Sequence, residues 1–270
     1  MTRIVFVTRP EPQASEWAQQ LQQILGNAAQ VRAVPLIEVA SVAEHAPYQQ
    51  ALHEVWAHLD QWQAAFFVSI PAVRFFFAAV PDALQRWEAS PIRAWAPGRG
   101  TRQALLDVGV SASRIDAPPP DATQFDSEAL WPLVQSQAQP GCAILRVRGT
   151  DQLTSHLQDA GAGRDWMAAQ LMAAHVRVDT VVAYQRRAPQ WSEAYAQQIV
   201  TQGAQALWLC SSSQSLGHLA QILPSIQWPH ATAICTHARI AERAQDMGFG
   251  TVVTTRPTLQ DAVQTLQSYL

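Results

Sequence analysis

The feature that most constrains this chain is a pattern written twice. The apolar, strand-like run Ala65-Phe66-Phe67-Val68 ends at Ser69 and leads into the helical Ala72-Val73-Arg74-Phe75-Phe76. Further along, Ala206-Leu207-Trp208-Leu209 ends at Ser211-Ser212-Ser213 and leads into a stretch carrying Leu216 and Leu219. The segments just beyond the two copies also match. Ile92-Arg93-Ala94-Trp95-Ala96 runs into Pro97-Gly98-Arg99-Gly100-Thr101 and a helix closing at Gly109. Thr232-Ala233-Ile234 runs into Cys235-Thr236-His237-Ala238-Arg239 and a helix closing at Gly248. A repeat this long is a duplicated α/β unit rather than a short structural repeat. It predicts two similar lobes whose strands end in small polar loops, the place where open α/β sheets bind ligands.

The 270 residues fit two domains of ordinary size, and 48% hydrophobic residues can form substantial cores. With 14% charged residues the chain is not of the disordered kind. A net charge of -3 gives no general attraction to nucleic acid or to a membrane surface, so neither is expected as a partner. All 18 basic residues are arginine. A GC-rich genome accounts for that bias, and carboxylate or phosphate recognition would also exploit it. Either way, no lysine is available as a Schiff base or general base. Cys142, Cys210 and Cys235 match neither a disulfide framework nor a zinc pattern, which points to a reducing cytoplasm. Arg3-Ile4-Val5-Phe6-Val7 reads as a first strand, leaving no room for a signal peptide before it. The most apolar long stretch, 64–80, contains Ser69, Pro71 and Arg74, so it reads as a strand plus a helix and not as a membrane span.

Thr8-Arg9-Pro10-Glu11 has the spacing of a capping box. The helix after it carries Trp17, Leu21, Ile24 and Leu25 on one face and stops at Gly26. Residues 31–39 are extended, and Pro35 confines them to an edge or a connector. Helices are expected over 51–62, starting within Phe125–Leu130, over 152–159, over 165–174 and from Leu259 to Leu270. Cys142 to Val147 and Val176 to Arg187 read as strands, with Val178, Thr180, Val182 and Tyr184 on one face of the second. Strand alternating with helix argues for parallel sheets flanked by helices. The expected organisation is a discontinuous first α/β domain, 1–35 with 185–270. A second α/β domain spans 40–176, and the two linker strands are 31–39 and 177–186.

The strand-end loops form an ordered series that begins with Val7-Thr8-Arg9-Pro10, Val68-Ser69-Ile70-Pro71-Ala72-Val73 and Gly98-x-x-Thr101-x-x-Ala104-Leu105. It continues through Phe125-Asp126-Ser127-Glu128-Ala129-Leu130, Arg148-Gly149 and Gly163-Arg164-Asp165-Trp166. Val182-Ala183-Tyr184-Gln185-Arg186, the serines at 211–213 and His237-Ala238-Arg239-Ile240-Ala241 complete it. In their order and spacing these loops resemble the uroporphyrinogen-III synthase family. Two places depart from the family pattern. Thr150 to Ala162 intervene where the family runs directly on, leaving Arg148 and Arg164 as alternatives at the border of the site. Cys235, Thr236 and His237 replace the family's late Gly and Thr, so no threonine role carries over there.

The resemblance implies two α/β lobes joined by a two-stranded linker, with a cleft between them. It implies cyclisation of the linear tetrapyrrole hydroxymethylbilane, with inversion of its last ring through a spiro intermediate and loss of water. It also implies that no metal or organic cofactor is used, and the chain contains no phosphate-binding glycine signature or ligand cluster. Nothing in the sequence demands a partner subunit, so a monomer is expected. Tyr184 matches the family's tyrosine near the site. A phenol is protonated at neutral pH, as a donor to a departing hydroxyl must be; a ring buried on an apolar strand face is the alternative. Ser69, Ser211 and Ser212 would contact substrate carboxylates or pyrrole N–H groups, and serines at such positions also cap helices. Gly98 and Thr101 form either a ligand loop or a tight strand-to-helix turn. Arg9 would pair with a carboxylate or only lie over its own helix start in solvent, Arg148 would border the site unless Arg164 does, and His237 ends a strand either at the site or as a surface or satisfied histidine. The rival class is a bilobed α/β binding protein for a small anionic ligand, which would give no reason for a proton donor at Tyr184.

Overall fold

The structure is a computed structural model, and it describes residues 2–154 and 166–270. The chain divides into two compact units, residues 1–39 with 187–270 and residues 40–186. In chain order the elements begin with β1 (Arg3–Val7), α1 (Gln13–Leu25), β2 (Ala29–Ala33) and β3 (Glu38–Ser41). They continue with α2 (Ala46–Ala57), β4 (Ala64–Phe67), α3 (Ile70–Phe77), α4 (Ala83–Ala89), β5 (Arg93–Trp95), α5 (Arg99–Asp107) and β6 (Ile115–Asp116). Next come α6 (Ser127–Val134), β7 (Ala143–Thr150), α7 (Trp166–Ala173), β8 (Arg177–Arg187) and α8 (Glu193–Gly203). The last are β9 (Leu207–Cys210), α9 (Ser213–Ile222), β10 (Thr232–Cys235), α10 (Ala238–Asp246), β11 (Thr251–Thr254) and α11 (Leu259–Gln267). The expected α/β fold, with helix-flanked parallel sheets in two lobes, is the observed one.

In the discontinuous unit the strand order is β11-β10-β9-β1-β2, and every pairing is parallel. The chain steps from β1 to β2 on one side and returns to β9 on the other, so its direction reverses between β1 and β9. Both faces are covered. Phe6 and Trp208 point into a core with Trp228 and Phe249, while Val5, Val7, Leu207 and Leu209 point into a second core with Leu21 and Leu266. That two-sided burial is why these strands are continuous apolar runs rather than alternating ones.

The continuous unit has the order β3-β8-β7-β4-β5-β6. Its reversal lies between β4 and β7, which pair in parallel from Ala64↔Ile144 to Phe67↔Val147. On one face Phe66 and Trp95 pack with Leu130, Val134 and Met167. On the other, Phe67 meets Phe76, Phe77 and Trp87 at ring-centroid distances of 5.5, 6.1 and 6.0 Å. The two written copies are therefore topological equivalents: β9-α9-β10-α10 in one unit answers β4-α3-β5-α5 in the other. Gly109 (φ 98°) and Gly248 (φ 77°) close the equivalent helices in a left-handed conformation that costs a glycine nothing.

Several expectations are corrected. The capping box does not form. Thr8 Oγ1 donates instead to the Leu209 carbonyl at 2.9 Å, 201 residues away, and the helix starts after Pro12 without a side-chain cap. Glu11 accepts from the Ser15 hydroxyl at 2.8 Å. Ile24 is 52% exposed, off the buried face defined by Ala14, Ala18, Leu21 and Leu25. The stretch 31–39 is not one strand. It splits around Pro35 into the end of β2 and the start of β3, the edge strands of two different sheets, where a missing N–H is tolerated. The helix expected from 51 begins at Ala46, and that expected to reach Leu270 ends at Gln267. Residues 152–154 are not helical, and the rest of the helix expected there lies outside the described residues.

Candidate functional site

Open α/β sheets bind at the carboxyl ends of strands where the strand order reverses. In the continuous unit that point is the end of β4 beside the end of β7, and a cavity of about 220 Å³ opens there. Arginines form one side of it. Arg146 and Arg148 are two apart on β7, so both side chains leave the same face, alternating with buried Leu145 and Val147. Arg186, two beyond Tyr184 on β8, joins them. Phe66, Val68, Pro97 and Trp166 supply the apolar part of the lining. Ser127, the first residue of α6, also lines it, its helix capped by Asp126 accepting from the Ala129 N–H at 2.9 Å.

Tyr184 lines this cavity beside a register shift. Along β7 and β8 the parallel pairs run in step to Arg148↔Val182, and then Gly149 faces Tyr184, skipping Ala183. A bulge of this kind re-aims a side chain. Gly149 makes the new direction possible: a Cβ built there would stand 2.3 Å from Tyr184 Cζ. The ring is stacked on its other side by Phe75, centroid to centroid 6.1 Å at 23°. Tyr184 as a whole is 5% exposed, and its hydroxyl lies 3.0 Å from Ser69 Oγ. Ser69 is at the same time the N-cap of α3, accepting from the Ala72 N–H at 3.3 Å. The Ser69 oxygen thus meets both the Ala72 N–H and the Tyr184 hydroxyl, and either hydroxyl can be the donor in the Ser69–Tyr184 bond.

Arg146 and Arg148 each feel a neighbouring arginine charge. Arg148 is held below the ordinary arginine value by burial first and then by the Arg186 charge, with Tyr184 and Asp151 acting the other way. Burial, then Arg148, does the same to Arg146. Arginine nevertheless stays charged throughout the working range of a protein. Arg146 Nε donates to Thr180 Oγ1 at 3.1 Å, Arg148 Nε to the Gly149 carbonyl at 3.1 Å, and Arg186 Nε to Asp151 at 2.7 Å.

Of the residues singled out in the sequence, Ser69, Arg148 and Tyr184 meet here. Arg164, the alternative to Arg148, lies outside the described residues. Gly98 precedes α5 next to the lining residue Pro97, whereas Thr101 is only 6% exposed in the first turn of that helix. The other four belong to the discontinuous unit, at the ends of β1, β9 and β10. Arg9 lies over the Trp17 ring at 3.8 Å, and its buried Nε has no hydrogen-bond partner among the described residues. Ser212 caps α9, accepting from the Ser215 N–H at 3.4 Å, and Ser211 precedes it. His237 is exposed and caps α10, its Nδ1 accepting from the Arg239 N–H at 3.2 Å. Arg146, Arg186, Ser127 and Trp166 were not expected. The arginine-x-arginine and tyrosine-x-arginine spacings on apolar strands were the available signal, since period two sends such pairs to one face. Among the described residues no group of His, Cys, Asp and Glu comes together as metal ligands would, and no helix is long and apolar enough to cross a membrane.

Comparison with solved structures places the fold. The chain is 13% identical to the uroporphyrinogen-III synthetase of Helicobacter pylori, with a TM-score of 0.56 and all of both chains covered. With a mutant uroporphyrinogen III synthase of Thermus thermophilus it shares 14% identity at a TM-score of 0.47, over 99% of this chain and 97% of that one. A family model described as "Uroporphyrinogen-III synthase HemD" matches residues 15–264, nearly the whole sequence, and the chain therefore belongs to the uroporphyrinogen-III synthase family.

Proposed function

We propose that the chain is a hydro-lyase that closes hydroxymethylbilane to uroporphyrinogen III, inverting the last ring through a spiro intermediate and releasing water, on the route to haem and sirohaem. The observation that carries this reading beyond family membership is Tyr184: a hydroxyl seated by a bulge against a glycine, hydrogen-bonded to Ser69, at the mouth of an arginine-lined cavity.

The linear substrate closes unaided to the uninverted isomer, so the protein has two tasks. It must help the terminal hydroxyl depart, and it must hold the bilane so that the substituted carbon of the far ring attacks. Tyr184 serves the first task. Its O–H donates to the departing hydroxyl, and as the proton moves, the Ser69 O–H stabilises the growing phenolate. Ser69 is itself polarised by the Ala72 N–H at the positive end of α3. A positioned acid of this kind contributes roughly 10²–10⁴-fold. The second task is positioning, for which fixed charges and strand-end loops serve the substrate's carboxylates. Arg148 and Ser69 take that role, as do Gly98, Thr101, Arg9, Ser211, Ser212 and His237 within the same proposal. Free Cys142, Cys210 and Cys235 support a reducing, cytoplasmic setting, and we read the working form as a monomer.

The test is to supply freshly made hydroxymethylbilane and resolve the product isomers. The inverted isomer, formed well above the spontaneous rate, is expected. If only the uninverted isomer forms, at the spontaneous rate, the chain is a binding protein and the reading fails.

A further inference from the structure

We infer that Arg9 and Arg256 are paired carboxylate clamps on the strand-end edge of the discontinuous unit and, resting on the synthase reading, that they hold the propionates of two different pyrroles of the bilane. The two arginines belong to one repeated motif. Thr8-Arg9-Pro10 follows β1, and Thr255-Arg256-Pro257 follows β11. Both turns leave the sheet through the same backbone bond. With Val7 opposite Leu209, the Thr8 N–H donates to the Leu209 carbonyl at 3.3 Å. With Thr254 opposite Cys235, the Thr255 N–H donates to the Cys235 carbonyl at 2.8 Å. A following proline confines each arginine to extended backbone, so the two side chains start from equivalent positions. The helices that follow, α1 and α11, pack into one core through Leu21 and Leu266, whereas α9 and α10 pack into the core on the other face through Leu216 and Ile240. The chain therefore parts to opposite faces of the sheet twice along this edge, between β1 and β9 and between β10 and β11. Ligands bind where strand ends part in this way, and one Thr-Arg-Pro turn borders each place.

Both arginines lack a counter-charge. Neither guanidinium has a hydrogen bond or an ion pair among the described residues. Arg256 is exposed. Arg9 is half-buried over the Trp17 ring; its Nε is buried without a partner, and burial holds the group below the ordinary arginine value. A partly desolvated charge without a counter-ion is unfavourable, and a carboxylate on its planar fork removes the penalty. The carboxylates nearest in sequence are engaged elsewhere: Glu11 accepts from the Ser15 hydroxyl and Asp261 from the Thr258 hydroxyl. Between the two arginines stand the starts of α9 and α10, whose positive ends also favour negative charge. β1 and β11 lie three strand spacings apart, about 14 Å. The two carboxylates of one pyrrole hang on short arms from neighbouring ring carbons and do not span that distance, so the clamps hold different rings. Propionate, the longer arm, is the one that reaches a buried Nε.

The probes are uroporphyrin III, with an acetate and a propionate on every ring, and coproporphyrin III, which keeps only one propionate on each. Fluorescence titration reads their binding to the whole protein. Arg9→Gln and Arg256→Gln should each weaken both porphyrins about tenfold, the loss of one charge-assisted hydrogen bond. Clamps three strands apart act independently, so the double variant should lose about a hundredfold towards both. If one pyrrole met both arginines, coproporphyrin III could engage only one at a time, and the double variant would bind it no more weakly than a single one. Each substitution should also raise KM for hydroxymethylbilane more than it lowers kcat. Arg86→Gln, which removes an exposed charge of α4 paired with Asp82, should change nothing. If Arg9→Gln melts low for want of its stacking on Trp17, the exposed Arg256 carries the test, because its replacement disturbs no packing. A wild-type protein that binds neither porphyrin, single substitutions without effect, or a double variant no weaker towards coproporphyrin III than the single ones overturns the inference. The isomer assay separates the two ideas. Inverted product with KM indifferent to both substitutions sinks the clamps alone, while arginine-dependent porphyrin binding with only uninverted product sinks the synthase reading.

Discussion

Gly149 matters for the space it leaves. The Tyr184 ring lies where a side chain on residue 149 would begin, with Phe75 behind it. Gly149→Ala should therefore force the ring out at a stability cost of about 1–3 kcal/mol, the range for overpacking a filled site. It should lower kcat as Tyr184→Phe does, by roughly 10²-fold or more if the phenol is the acid. The two variants differ in one respect: the phenylalanine keeps the ring and its packing, so its melting temperature should stay near wild type. Steady-state kinetics beside thermal melts check both. Unchanged turnover in Tyr184→Phe would remove the acid role and leave the fold intact. Reading Gly149 from sequence alone was not possible, because the clash comes from a residue 35 positions away on a neighbouring strand.

At the scale of elements, serines at strand-to-helix junctions repeat one local device. Ser69, Ser192 and Ser212 each accept the N–H three residues on, at 3.3, 3.2 and 3.4 Å. Removing such a cap costs about 1 kcal/mol. Ser192→Ala and Ser69→Ala should lose similar stability in denaturant titrations, yet only Ser69→Ala should lower kcat, because only Ser69 also holds the Tyr184 hydroxyl. Equal turnover in the two variants would reduce Ser69 to a cap. The caps at Ser69 and Ser212 were legible in the sequence, since a capping oxygen reaches only its own next turn. Thr8 shows the limit of that logic. It had the right spacing for a cap but found a carbonyl on β9, and a long-range partner prevailed over the local one.

At the scale of the whole molecule, the two units are built from the chain in different ways. Residues 40–186 supply one sheet and its cores from a continuous stretch, whereas β1 lies inside the other sheet between β2 and β9, the second of these some 200 residues away in sequence. The fragment 40–186 should therefore fold alone, giving a cooperative melt and dispersed amide resonances. The fragment 187–270 should not, because without β1 and β2 it leaves the β9 edge and the apolar face of Leu207 and Leu209 uncovered. A cooperative melt from 187–270 would contradict this account.

The sequence by itself determined what depends on near neighbours: the doubled strand–helix pattern, the serine caps, the glycines that close equivalent helices, and the parallel α/β class that apolar strand runs demand. It also pointed to Tyr184 and Arg148, through their place in a succession of small loops. Tertiary structure alone decided that Tyr184 rather than Ala183 faces Gly149, that its hydroxyl meets Ser69, and that Arg146 and Arg186 join Arg148 around one cavity. The reason is physical. Side-chain period is a property of one strand, whereas register is a property of two, and a shift of a single residue between β7 and β8 determines which side chain faces the glycine.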